Sequence, residues 1–161
     1  KVAQIIETLQ AARDEGLAHS IGVSNFPSAL MAEAAALDTI ATNQVEFHAL
    51  LDQRKLLAVA NDLGIRLTAY MPIARGKVPE HPVVQDIAAA HSAQPAQVAL
   101  AWVMAKGVTP ICMSTKRANL ASNLGACDLA LSPDEIARID ALSSPSQRFC
   151  ERDSDNPDWD N

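Results

Sequence analysis

Several protein classes are excluded by what these 161 residues lack. The three cysteines, Cys112, Cys127 and Cys150, are far apart, odd in number and without a CxxC pair. A disulfide framework or a clustered thiolate metal site needs closer spacing; these read as reduced thiols of a cytoplasmic protein. The four histidines, His19, His48, His81 and His91, are scattered and form no HExxH pair, so no metal site is expected. No apolar run reaches membrane-spanning length, and no signal peptide is visible. The chain does open on Lys1 rather than Met, and a segment ahead of it is expected. Basic residues are outnumbered, 13 Lys and Arg against 19 Asp and Glu, for a net charge of −6. Nucleic acid is a poor partner for such a surface, because phosphate binding needs a basic one. Aromatics make up only 4%, so close packing falls to small aliphatic side chains.

Present in quantity are hydrophobic residues, 48% of a chain of single-domain length. They fall into alternating patterns. Helical spacing marks residues 2–15, where Val2, Ile5, Ile6, Leu9 and Ala12 share a face. It recurs at 28–37 behind Pro27, and at 53–63 with Leu56, Leu57, Val59, Ala60 and Leu63 inward. Further helices are expected at 83–90, 95–106 and 118–124, and after the Ser132-Pro133-Asp134-Glu135 cap. Between them lie short apolar runs at 18–23, 39–45, 65–69 and 108–112, read as strands. The stretch 72–82 reads as a long loop, and residues 143–161 as a tail beyond a main body of 1–142. Non-alternating strands separated by helices predict a parallel sheet covered on both faces. A doubly wound sheet is the rival, but no GxGxxG turn is present.

Polar motifs sit at the ends of those strands: GVSNF (22–26), NQVEFH (43–48), TAYMPIARGKV (68–78) and STKR (114–117). Chemistry collected at strand C-terminal ends is the layout of a β/α barrel face. In order and spacing the four motifs resemble the C-terminal half of an aldo-keto reductase, and the tail Pro157-Asp158-Trp159-Asp160 is similar to that of bacterial 2,5-diketo-D-gluconate reductases. The resemblance implies an α/β fold, about four β/α units of a (β/α)8 TIM barrel. It also implies an NADPH-dependent oxidoreductase that reduces aldehydes or ketones, keto-sugar acids among them.

Residue by residue, the resemblance assigns Ser24, Asn25 and Gln44 to the nicotinamide carboxamide, a group with donors and an acceptor that hydroxyl and amide side chains complement. Tyr70 would stack on the nicotinamide ring. Pro72 and Ile73 open the loop over the pyrophosphate, where Arg75 and Lys77 add positive charge. Ser114, Thr115 and Lys116 would hold the adenosine 2′-phosphate, aided by the helix that follows, and Asn123 would meet the adenine. Trp159 would line the substrate pocket. Taken without the resemblance, Ser24-Asn25 reads as a turn ahead of Pro27, Gln44 as an amide bonded within the sheet, Tyr70 as a core-edge residue and Lys116-Arg117 as exposed cations.

Some positions depart from the family pattern. Cys112-Met113 stands where Pro-Lys is frequent, Asn119 where an Arg often packs on adenine, and Met71 where Ser or Cys is common. The family's catalytic Asp, Tyr, Lys and His belong to the other barrel half, so no catalytic residue is assigned in this chain. An alternative is a self-associating half-barrel that binds nucleotide without catalysis, its exposed strand edges pairing in a homodimer.

Overall fold

Helix and strand alternate through the described residues of this computed structural model, which are 1–150, 157, 159 and 160. Helix α1 (Val2–Asp14) precedes β1 (Val23–Ser24) and α2 (Ser28–Leu37); β2 (Thr42–Glu46) precedes α3 (Arg54–Asp62). Strand β3 (Arg66–Tyr70) leads into α4 (Lys77–Glu80), α5 (Pro82–Ala90) and α6 (Pro95–Ala105), and β4 (Thr109–Pro110) leads into α7 (Arg117–Leu124) and α8 (Pro133–Asp140). The strands form one parallel sheet in the order β1-β2-β3-β4, with Val23 opposite Asn43 and Ser24 opposite Gln44. Sequential neighbours in a parallel sheet require a helix between each pair.

The chain divides into two compact units. The first comprises Lys1–Val45 and Gln53–Thr68 with residues 157, 159 and 160; the second comprises Glu46–Asp52 and Ala69–Cys150. In the first, α1 packs on α2 and α2 on α3. Ile6, Met31, Ala34, Val45, Leu56, Ala60 and Leu67 form its core. In the second, α6 packs against α4, α5, α7 and α8. Its residues Val98–Val103 are all buried. A helix with neighbours on every side has no polar face to show, and small residues such as Ala99 and Ala101 allow that approach.

Several elements differ from the sequence expectation. The run at 18–23 yields only Val23–Ser24, the pair in register with Asn43 and Gln44 of β2, although Ile21 O already accepts from Ala41 N–H. The fourth strand is likewise cut to Thr109–Pro110, since Pro110 has no N–H for a ladder. The expected loop at 72–82 contains a 3-10 turn (Ala74–Gly76) and α4. Left-handed Arg75 (φ 54) and Gly76 (φ 93) redirect the chain, and the His81 ring accepts from Val83 N–H to start α5. Leu63, expected inward, is the exposed C-cap of α3. The Ser132 cap forms as a reciprocal box, Ser132 Oγ accepting from Glu135 N–H and Glu135 Oε2 from Ser132 N–H.

Gly22 lies just ahead of β1, against Thr42 of β2. A Cβ there would stand 2.8 Å from Thr42 Cγ2 and 2.9 Å from Thr42 O. Thr42 has no room to yield, because its hydroxyl bonds Arg66 O and Thr68 Oγ1, both at 2.8 Å. Gly22→Ala is expected to lower stability by about 1–3 kcal/mol through overpacking. Urea unfolding checks this, and a variant as stable as wild type would show that the strands separate freely.

Candidate functional site

The residues expected to hold a cofactor fall into two groups. Ser24, Asn25 and Gln44 belong to the first unit, and Tyr70, Pro72, Ile73, Ser114, Thr115, Lys116 and Asn123 to the second.

In the first unit, parallel pairing sets Ser24 beside Gln44. Ser24 Oγ donates to Gln44 O at 3.0 Å, Asn25 N–H donates to the same carbonyl at 2.9 Å, and Asn25 Nδ2 donates to Ser24 Oγ at 3.3 Å. Asn25 is left-handed (φ 56), a conformation Asn tolerates better than most residues. The turn is locked from beneath by fully buried Asn43, whose Oδ1 accepts from Phe26 N–H and whose Nδ2 donates to Phe26 O at 2.7 Å. This lock was not anticipated, although the motif NQVEFH contains it; the alternation of a strand puts Asn43 and Gln44 on opposite faces. Gln44, read from sequence as a buried amide bonded within the sheet, is only half-buried, and its carboxamide makes no hydrogen bond to a described residue. The set offers hydroxyl and amide groups of both polarities, which suits a carboxamide.

In the second unit, half-buried Tyr70 ends β3. Burial, and next the negative charge of Glu46, push its phenol up to about 12. The following loop holds Met71, Ala74 and Arg75 at positive φ (53, 49 and 54) ahead of Gly76. Non-glycine residues in that region cost about 1–3 kcal/mol each and gather at functional sites. Pro72, Ile73 and Arg75 line a cleft of about 220 Å³ together with Cys112, Met113 and Asn123. A second cleft of about 350 Å³ shares Cys112 and Asn123 with it. Pro72 is buried and Ile73 half-buried, so the cleft has an apolar wall with Arg75 and Asn123 as polar groups.

Ser114, Thr115 and Lys116 form the turn into α7. Ser114 Oγ accepts from Lys116 N–H at 3.1 Å, and Lys116 is the N-cap. No side chain caps that helix end, so its first N–H groups and the exposed Lys116 ammonium are available to an anion. His48 is fully buried, with its Nε2 3.0 Å from Glu46 Oε1.

Among the described residues no helix is long and apolar enough to cross a membrane, and no group of three or more His, Cys, Asp or Glu side chains stands ready for a metal ion.

The aldo/keto reductase family profile matches residues 1–144. Methylglyoxal reductase DkgB of Escherichia coli O157:H7 is 43% identical over 99% of this chain and 60% of its own length. A solved structure assigned as a 2,5-diketo-D-gluconic acid reductase B superposes with a TM-score of 0.96 at 38% identity, covering 100% of this chain and 58% of that one. A Gox0644 variant solved in complex with NADPH gives a TM-score of 0.88 at 28% identity, over 92% of this chain and 56% of the other. The chain thus spans about three fifths of the length of its curated relatives, and its four β/α units correspond to part of the barrel of these reductases. With the family profile over most of its residues, and its strand-end motifs in register, this chain belongs to the aldo/keto reductase family.

Proposed function

We propose that this chain supplies the cofactor-holding part of an NADPH-dependent reductase of aldehydes and ketones. The observation that carries the reading is the convergence of Pro72, Ile73, Arg75 and Asn123 on one cleft beyond the end of β3. The loop between β3 and α4 covers the pyrophosphate, and Arg75 meets its charge. Ser24, Asn25 and Gln44 fix the carboxamide and so choose which ring face donates hydride. When bound, NADPH would supply a hydride to a carbonyl carbon, with a proton going to the carbonyl oxygen. In this reading Tyr70 serves as the stacking ring, and the acid belongs to the other half of the barrel.

Small dicarbonyls and keto acids are the substrate class, supported by the names of two relatives, a methylglyoxal reductase and a 2,5-diketo-D-gluconic acid reductase. Lys116 is the residue that distinguishes NADPH from NADH in this reading, because only NADPH carries a 2′-phosphate. Lys116→Ala is expected to weaken NADPH about tenfold, near the loss of one charge-assisted hydrogen bond, and to leave NADH almost unchanged. Fluorescence titration with both cofactors checks it; equal losses for the two would reject Lys116 as the phosphate ligand.

A further inference from the structure

Glu46 ends β2 and has no solvent exposure. A carboxylate removed from water is costly unless hydrogen bonds replace its hydration. Here they come from far along the chain. Phe149 N–H donates to Oε1 at 2.7 Å and Cys150 N–H donates to Oε2 at 2.9 Å. His48 Nε2 donates to Oε1 at 3.0 Å, which fixes the proton on that nitrogen; Nδ1 has no partner among the described residues. Burial alone would raise the Glu46 pKa, but the hydrogen bonds from His48, Phe149 and Cys150 together hold it below the ordinary value. The carboxylate is therefore ionised at neutral pH, an acceptor at both oxygens.

The segment it grips lies against the end of β3. The Phe149 ring meets the His48 ring at 5.5 Å between centroids. Cys150 Sγ contacts Met71 Sδ at 2.9 Å, and Phe47 N–H donates to Tyr70 O at 3.3 Å. A Glu-His pair needed only for the core would not require two backbone donors from a remote segment. We propose that Glu46 is a positioning residue: its carboxylate pins Phe149 and Cys150 and so holds residues 148–150 as a strap beside Tyr70 and Met71. The effect on cofactor rests on Tyr70 being the nicotinamide-stacking residue; the pin itself does not.

Glu46→Gln tests it, because a carboxamide has one acceptor oxygen and sets an N–H₂ against a backbone N–H. Amide exchange at Phe149 and Cys150 is expected to rise roughly tenfold or more, while the sheet amides of Ala41, Arg66 and Ile111 keep their rates. NADPH affinity is expected to fall with it. Cys150→Pro deletes one donor at an exposed side chain without touching the buried carboxylate. It is expected to speed exchange at Phe149, and it decides the matter alone if Glu46→Gln does not fold. Unchanged exchange at Phe149 in the folded variants overturns the pin. Faster exchange with NADPH affinity unchanged overturns the hold on Tyr70. If Tyr70→Ala leaves NADPH binding intact, the cofactor reading fails while the exchange result still judges the strap.

Discussion

Trp102→Ala is expected to lower unfolding stability by about 3–5 kcal/mol, the cost of emptying a large buried aromatic site. Trp102 lies in α6 and is 4% exposed. Its ring stacks on Phe47 at 5.7 Å between centroids, an arrangement worth about 0.5–1.5 kcal/mol beyond burial. Its indole N–H donates to Asp140 Oδ1 at 2.8 Å. Lys106 donates to the other oxygen of Asp140 at 2.6 Å and lies 5.5 Å over the indole. One side chain thus ties α6 to the end of β2 and to the end of α8. Domains are stable by only about 5–15 kcal/mol, so the loss is a large fraction. Trp102→Phe keeps the stacking and most of the buried area but leaves no donor for Asp140 Oδ1, and a smaller loss of about 1–2 kcal/mol is expected. Urea unfolding of both variants separates the terms. Equal losses would mean that the hydrogen bond, not the packing, carries the contact.

Tyr70→Ala is expected to weaken NADPH binding roughly 5- to 150-fold, taking base–aromatic stacking at about 1–3 kcal/mol. The ring is held at the end of β3 beside the strained 71–76 loop, so it is ordered before a ligand arrives and little entropy is lost on stacking. Tyr70→Phe keeps the π-face and is expected to bind within a few-fold of wild type. Fluorescence titration of NADPH measures both. An alanine variant that binds as tightly as wild type would remove Tyr70 from the site. A phenylalanine variant as weak as the alanine one would assign the interaction to the hydroxyl instead of the ring.

The sequence by itself determined the helices and the family. Amphipathic spacing, Pro at helix starts and the Ser132 box place α1, α2, α5, α6 and α8 within a residue or two, because these signals act over one or two turns of chain. The strand-end motifs carried the family and the candidate cofactor residues for a similar reason: their chemistry lies in contiguous stretches. Strand bounds were less legible. A parallel strand exists only through its neighbour, so 18–23 shrank to Val23–Ser24, the residues in register with Asn43 and Gln44. Two features depended wholly on tertiary structure. Asn43 locks the Phe26 backbone across 17 residues, and Glu46 receives Phe149 and Cys150 from more than 100 residues away. Both residues stand inside a motif that was quoted from sequence, yet nothing local distinguishes a buried carboxylate from a solvated one. Its role follows from the donors that folding brings to it, and those donors are backbone amides, which every non-proline residue carries and no side-chain pattern reveals.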